Sequence, residues 1–220
     1  MQLQKKLRNP PKPQKGCSAR TCQTFIALML TLSFLIPSAY ASDYTDVPND
    51  AWYAEAVTYV TEHGLMGGVG NGKFAPDQEL TRAQIVELFY RLAGSPETAY
   101  TNQFQDVGSD SWFARSVAWA SSSGIASGTS SNTFSPSSKI TNEQLATMID
   151  NYVHYVGVEL LTAENPVSGL KDTWYVSEYA IDGVQLVWRA GIMNGDSQHN
   201  FGPQKTVSRA DAAVVFMRLS

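Results

Sequence analysis

Two arginines stand where an anion could be gripped. Arg82 and Arg209 each directly follow a Thr or Ser, and an apolar run at helical spacing begins behind each of them. Each guanidinium is thereby placed in the first turn of a helix, where free backbone N–H groups and the positive dipole end favour negative charge. A guanidinium there can hold a carboxylate through two parallel hydrogen bonds. Neither helix capping nor an apolar stripe asks for arginine at that point, although a salt bridge to an acid such as Asp46 is a structural alternative. A third equivalent position carries Asn142, followed by Glu143 where the other two have Ala83 and Ala210. A neutral amide beside an acid is a poor carboxylate clamp, so the grooves that depend on these positions are expected to be unequal. Trp52, Trp112 and Tyr179 each offer an apolar face with a polar edge, on which a sugar ring can lie. Each also starts an amphipathic helix, so packing between repeats is the competing use. Gly68, Gly128 and Gly195 would let a ligand approach the backbone closely.

Catalytic chemistry finds no such support. His63, His154 and His199 fall at non-equivalent places, and none belongs to a triad or metal-ligand spacing. Asn194-Gly195-Asp196-Ser197 loosely resembles the start of a calcium loop, but Lys205 stands at its twelfth position, where an acid is required. No catalytic residue, metal site or cofactor is expected.

The elements that must position these residues come from an internal repeat. Trp52, Trp112 and Tyr179 each precede a glycine (Gly64, Gly124, Gly191) by twelve residues, and that glycine precedes Phe74, Phe134 or Phe201 by ten. Pro76, Pro136 and Pro203 follow two later, and Thr81, Thr141 and Ser208 five after that. The third copy slips by one residue between Asp172 and Tyr179. Three repeats result, over residues 44–94, 104–157 and 170–220, separated by polar or proline-containing linkers.

Each copy reads as helix, loop, helix. Gly64 is placed to end the first helix. Thr81-Arg82-Ala83-Gln84 is a capping box that opens the second, with counterparts at Thr141–Gln144 and Ser208–Asp211. Ile85, Leu88, Phe89 and Leu92 form the apolar stripe behind it, matched by Leu145, Met148, Ile149 and Tyr152 and by Ala212, Val215, Phe216 and Leu219. Phe74, Phe134 and Phe201 look like buried loop anchors. Asp46, Asp106 and Asp172 are expected to organise the entry to each first helix or to pair with arginine. One such unit cannot bury its own stripe, so the three must pack together.

The chain opens with six basic residues and no acid over positions 1–24, then a twelve-residue apolar run, Phe25–Ile36, then Ala39-Tyr40-Ala41. Those are the three parts of a secretory signal peptide spanning residues 1–41. The run falls short of the roughly 20 apolar residues that span a bilayer, so no membrane span is expected after cleavage. Of 16 basic and 20 acidic residues, cleavage leaves 10 basic and 20 acidic, a formal charge of −10. That balance excludes nucleic acid as a partner. Both cysteines, Cys17 and Cys22, lie in the leader, so the rest of the chain forms no disulfide and must rely on its core.

Asp46-Val47…Trp52, Gly64-Leu65-x-x-Gly68, Phe74-x-Pro76 and Thr81-Arg82-Ala83-Gln84, with their counterparts, closely resemble the S-layer homology domain. The resemblance extends over essentially all of the chain beyond the leader. It implies a mainly α body of three helix-loop-helix repeats packed with pseudo-three-fold symmetry into three lobes. It further implies a secreted, non-enzymatic module at the cell surface. Such a module would hold secondary cell-wall polysaccharide non-covalently, typically through pyruvylated sugars bound in grooves between lobes. Under that resemblance the ligand-binding candidates are Arg82, Arg209, Trp52, Trp112, Tyr179, Gly68, Gly128, Gly195 and Asn142. The altered second motif keeps open an alternative, a surface structural protein that binds a protein partner through the same grooves.

Overall fold

The computed structural model describes residues 44–101, 103–160 and 169–220. The signal-peptide expectation falls on residues outside these. Among the described residues six α-helices carry the fold: α1 (Ala54–Glu62), α2 (Arg82–Leu92), α3 (Ala114–Ser122), α4 (Asn142–Val156), α5 (Ile181–Arg189) and α6 (Arg209–Leu219). Two 3₁₀ turns, Thr173–Tyr175 and Glu178–Ala180, precede α5. Among the described residues the only β pairing is a set of isolated bridges, so the mainly α expectation holds.

Local sequence chemistry accounts for the helix ends. Thr81, Thr141 and Ser208 all form complete capping boxes with Gln84, Gln144 and Asp211. Gly64, Gly124 and Gly191 follow α1, α3 and α5 at φ of 68°, 74° and 67°, a left-handed conformation that side-chained residues rarely adopt. Phe74 and Phe134 are fully buried and Phe201 nearly so. Each is fixed by an aspartate of its own repeat. Asp46 accepts the backbone N–H groups of Phe74 and Ala75 at 2.8 Å each. Asp106 takes those of Phe134 and Ser135, and Asp172 those of Phe201 and Gly202. The second residue of each pair has φ near +60° (Ala75 58°, Ser135 59°, Gly202 64°), a strained conformation at Ala75 and Ser135, and the carboxylate clamps the turn in place. These aspartates therefore serve the loop before Pro76, Pro136 and Pro203, and among the described residues none makes a direct ion pair with arginine.

Between repeats the connections run in a ring. α2 packs on α3, α4 on α5, and α6 returns to α1. Three residues just ahead of the capping boxes close a triangle of backbone bonds. Leu80 N–H donates to Val207 O (2.9 Å), Val207 N–H to Ile140 O (3.0 Å), and Ile140 N–H to Leu80 O (3.2 Å). All three side chains are buried, as are the stripes of α2, α4 and α6 except for the half-buried Leu92 and Leu219 at their ends, and the ring of Phe89 meets Phe216 at 4.9 Å and Tyr152 at 5.3 Å.

At the α4–α5 contact, a Cβ on Gly183 would lie 2.7 Å from Ala146 O and 2.9 Å from Thr147 Cα. Ala56 and Ser116 occupy the equivalent sites, so this junction is the tightest at that position. Gly183→Ala should gain about 1 kcal/mol of helix propensity and lose more by forcing the helices apart. A net destabilisation of about 1–2 kcal/mol is expected in urea denaturation; an unchanged or raised midpoint would show that the contact is not tight.

Candidate functional site

Each groove draws on all three repeats. A cavity of about 810 Å³ is walled by the loop from Ile192 to Phe201 and by Val214, Val215 and Arg218 of α6. Trp52 comes to it from the first repeat and Asn142 from the second. A smaller cavity of about 170 Å³ is built from the equivalent residues one repeat on: Leu65–Gly67, Glu87, Leu88 and Arg91, with Trp112 and Arg209. The rule is cyclic: one repeat supplies loop and second helix, the next supplies the aromatic, and the preceding one supplies the residue at the helix start.

The arginines are more deeply engaged than their position in the capping sequence suggested. Arg82 is only 6 % exposed; its Nε donates to Phe134 O at 3.0 Å and its Nη2 to Ser127 O at 2.8 Å. Arg209 is 8 % exposed and donates likewise to Phe74 O and Gly67 O. Each guanidinium also lies over the ring of that phenylalanine, 4.9 Å from Phe134 and 4.4 Å from Phe74. Burial pushes both guanidinium pKa values below the ordinary arginine value. An arginine nevertheless stays charged: carbonyls and a ring face hold it directly, and the negative charge of Asp106 toward Arg82 and of Asp46 toward Arg209 favours it further. Each thus latches its own repeat to the next one's loop, with Nη1 making no hydrogen bond to the described residues. Asn142 fills part of the same role, its Nδ2 donating to Phe201 O and Gly202 O at 3.1 Å each.

Trp52 and Trp112 are 67 % and 63 % exposed and line the two cavities, so their indoles are free for a ligand. Tyr179, at the equivalent place, is tied down: its hydroxyl donates to Glu143 Oε1 at 2.9 Å. The three loop glycines have a structural cause. A Cβ on Gly68 would lie 2.7 Å from Lys73 O, one on Gly128 2.7 Å from Thr133 O, and one on Gly195 2.4 Å from Asn200 O. What approaches them so closely is their own loop, joined at Gly68 by the ring of Tyr44 and at Gly128 by that of Phe104.

Glu143, read from sequence as a flaw in the second motif, is an organised joint. Its carboxylate is almost fully buried and accepts Ser177 N–H (3.0 Å), Ser177 Oγ–H (2.9 Å) and the Tyr179 hydroxyl, tying α4 to the turn that starts α5. Burial alone would raise its pKa, but bonds from Ser177, Tyr179 and Gln204 outweigh this and hold it below the ordinary 4.5. Burial and the bond to Glu143 push the Tyr179 phenol up to about 12. Because the native carboxyl titrates below its unfolded value, its contribution is complete above about pH 4.5 and fades as pH falls through the native pKa. Glu143→Gln should therefore be less stable than the parent at pH 7, with the gap narrowing toward pH 3 in urea midpoints. A gap independent of pH would contradict this reading.

Sequence reasoning also passed over Lys205, which lines the larger cavity, and the exposed pair Trp174 and Tyr175. The loop that loosely resembled a calcium site is held by Asp196, whose carboxylate accepts the N–H groups of Gln198 and Asn200. Among the described residues no cluster of three or more His, Cys, Asp or Glu is placed to hold a metal, and no helix is long and apolar enough to cross a membrane.

A model of the S-layer homology domain matches the chain three times, at residues 43–86, 103–146 and 176–213. The chain belongs to the S-layer homology domain family. It is 35 % identical over 178 residues to a surface layer protein of Brevibacillus choshinensis, covering 78 % of this chain and 15 % of that protein. It is 28 % identical over 193 residues to the surface-layer 125 kDa protein of Lysinibacillus sphaericus, covering 86 % and 16 % respectively. An amylopullulanase of Thermoanaerobacterium thermosulfurigenes is 24 % identical over 180 residues, 82 % of this chain but 10 % of the enzyme. The chain therefore spans less than a fifth of the length of each of these three relatives. Membership of the S-layer homology family makes it a secreted, cell-surface anchoring module of three repeats.

Proposed function

We propose that this S-layer homology module anchors to the wall by binding an anionic secondary cell-wall polysaccharide, a pyruvylated glycan, in the grooves between its repeats. The observation that supports this best is the recurrence of one groove design at two junctions. Each has a loop wall, an exposed tryptophan and a polar side chain at a helix start. A sugar ring can stack on the indole while its polar edge meets the loop. The carboxylate of a pyruvyl ketal is the one fixed negative charge such a sugar brings, and it suits a protein of net negative charge only where cations are placed locally. Binding should follow ketal content. Polymer released from sacculi and stripped of its acid-labile ketals by mild hydrolysis should bind at least tenfold more weakly than untreated polymer in titration calorimetry. Equal affinity for both would remove the pyruvyl reading.

The exposed surface of Trp174 (74 %) and Tyr175 (65 %), outside both cavities, favours a second reading in which a surface protein is also held. Sedimentation of this chain with isolated surface-layer protein, compared with Trp174→Ala/Tyr175→Ala, tests it. Loss of co-sedimentation in the double variant supports that reading.

A further inference from the structure

The three junctions place their cations differently. At each, the residue at the helix start donates its backbone N–H to a loop residue three positions before a capping Thr or Ser. Arg209 donates to Gln78 O, Arg82 to Ser138 O and Asn142 to Lys205 O, all at 2.9 Å. These pairs are structurally equivalent, and the charge has changed sides. Two junctions carry arginine on the helix and a neutral residue on the loop; the third carries asparagine on the helix and lysine on the loop.

The exchange has consequences for space. In the arginine junctions, Nη2 crosses to a loop carbonyl, Gly67 O or Ser127 O. Asn142 satisfies the Phe201 and Gly202 carbonyls but is too short to reach further, so Asn194 O, the counterpart of those two, has no donor among the described residues. The cavity there is about 810 Å³, against about 170 Å³ where Arg209 is present. Lys205 and Asn142 flank Gly202: a Cβ on that glycine would lie 3.4 Å from Lys205 Cβ and 3.7 Å from Asn142 Nδ2. The Lys205 ammonium has no partner among the described residues. The other charged groups on the cavity wall are engaged. Asp211 accepts from Ser208, Asp196 accepts from Gln198 and Asn200, and Arg218 Nη1 donates to Ile192 O.

We propose that the groove walled by the third repeat is the principal ligand groove of this chain, and that Lys205, rather than an arginine, supplies its cation to a carboxylate-bearing sugar. Asn142 is the residue that opens it. A point-charge ammonium on a flexible stem accepts a carboxylate from several directions, whereas the latched guanidiniums cannot move to meet one. The donor-less Asn194 carbonyl and the Asn142 amide then face the sugar hydroxyls. This rests on the wall-polymer reading above.

The probe is secondary polymer released from purified sacculi, titrated against the full-length chain, Lys205→Gln, Lys205→Arg and Asn142→Arg. Lys205→Gln should lose tenfold or more in affinity with an unchanged melting temperature, since its ammonium makes no hydrogen bond or ion pair with the described residues. Lys205→Arg should restore most of that affinity. Asn142→Arg should weaken binding by filling the cavity while keeping or raising the melting temperature. Parent-like binding by Lys205→Gln, where the parent itself binds, overturns this assignment and leaves the wall-polymer reading standing. Failure of the folded parent to bind released polymer overturns that reading, and this one with it.

Discussion

Ending the chain at residue 169 should abolish cooperative folding rather than remove one third of the stability. In a linear stack, loss of a terminal repeat exposes one interface. Here the repeats close a ring, so loss of the third exposes two. α4 loses α5 and α1 loses α6. The backbone triangle opens as Leu80 N–H loses Val207 O and Ile140 O loses Val207 N–H. Phe89 loses Phe216, and the Gly67 and Phe74 carbonyls lose Arg209. Fully burying one large apolar side chain is worth about 1.5–3 kcal/mol, and several would be uncovered at once against a total of about 5–15 kcal/mol. The truncated chain should show no near-ultraviolet dichroism and no sigmoidal melt. A sharp two-state transition from it would mean that adjacent repeats are sufficient and that closure adds little.

The second large effect concerns Arg209. Arg209→Ala removes two charge-assisted bonds to carbonyls, each worth about 1.5–3 kcal/mol, and a contact of the guanidinium with the Phe74 ring. It also leaves the Phe74 carbonyl buried without a donor. A loss of about 3 kcal/mol is expected, or roughly 10 °C in melting temperature for a domain of this size. Arg209→Lys should recover little, because a point ammonium cannot serve two carbonyls and a ring together. A variant that melts with the parent would refute the latch. The consequence for binding studies is direct: weaker wall binding by an arginine variant mixes loss of fold with loss of contact. Lys205 is free of that confusion.

What was legible in the sequence was local. Capping boxes, terminating glycines and the stripes of α2, α4 and α6 depend on neighbours within a turn or two, and residue types declare them. The Phe74, Phe134 and Phe201 anchors were legible because position and type recur three times. What stayed hidden was long-range. The one residue at the helix start that points into the next repeat's loop looks, in sequence, the same as one that faces solvent, so Arg82 and Arg209 read as clamps available to a ligand. Glu143 read as damage because its partners, Ser177 and Tyr179, lie 34 and 36 residues away. The compensation between Asn142 and Lys205 lies 63 positions apart in the chain and is joined only by a backbone bond across the ring. One signal was available: aligned loop positions read Gln78, Ser138 and Lys205, a cation appearing in the one junction whose helix start has lost its own.

Anchoring through a wall polymer can be measured by co-sedimentation of the protein with purified sacculi before and after their secondary polymers are extracted. The protein should pellet with intact sacculi and stay in the supernatant once the polymer is gone, with released polymer competing it off. Equal pelleting with extracted sacculi would place the binding on peptidoglycan itself. Absence from both pellets by a protein that melts cooperatively would contradict wall anchoring altogether.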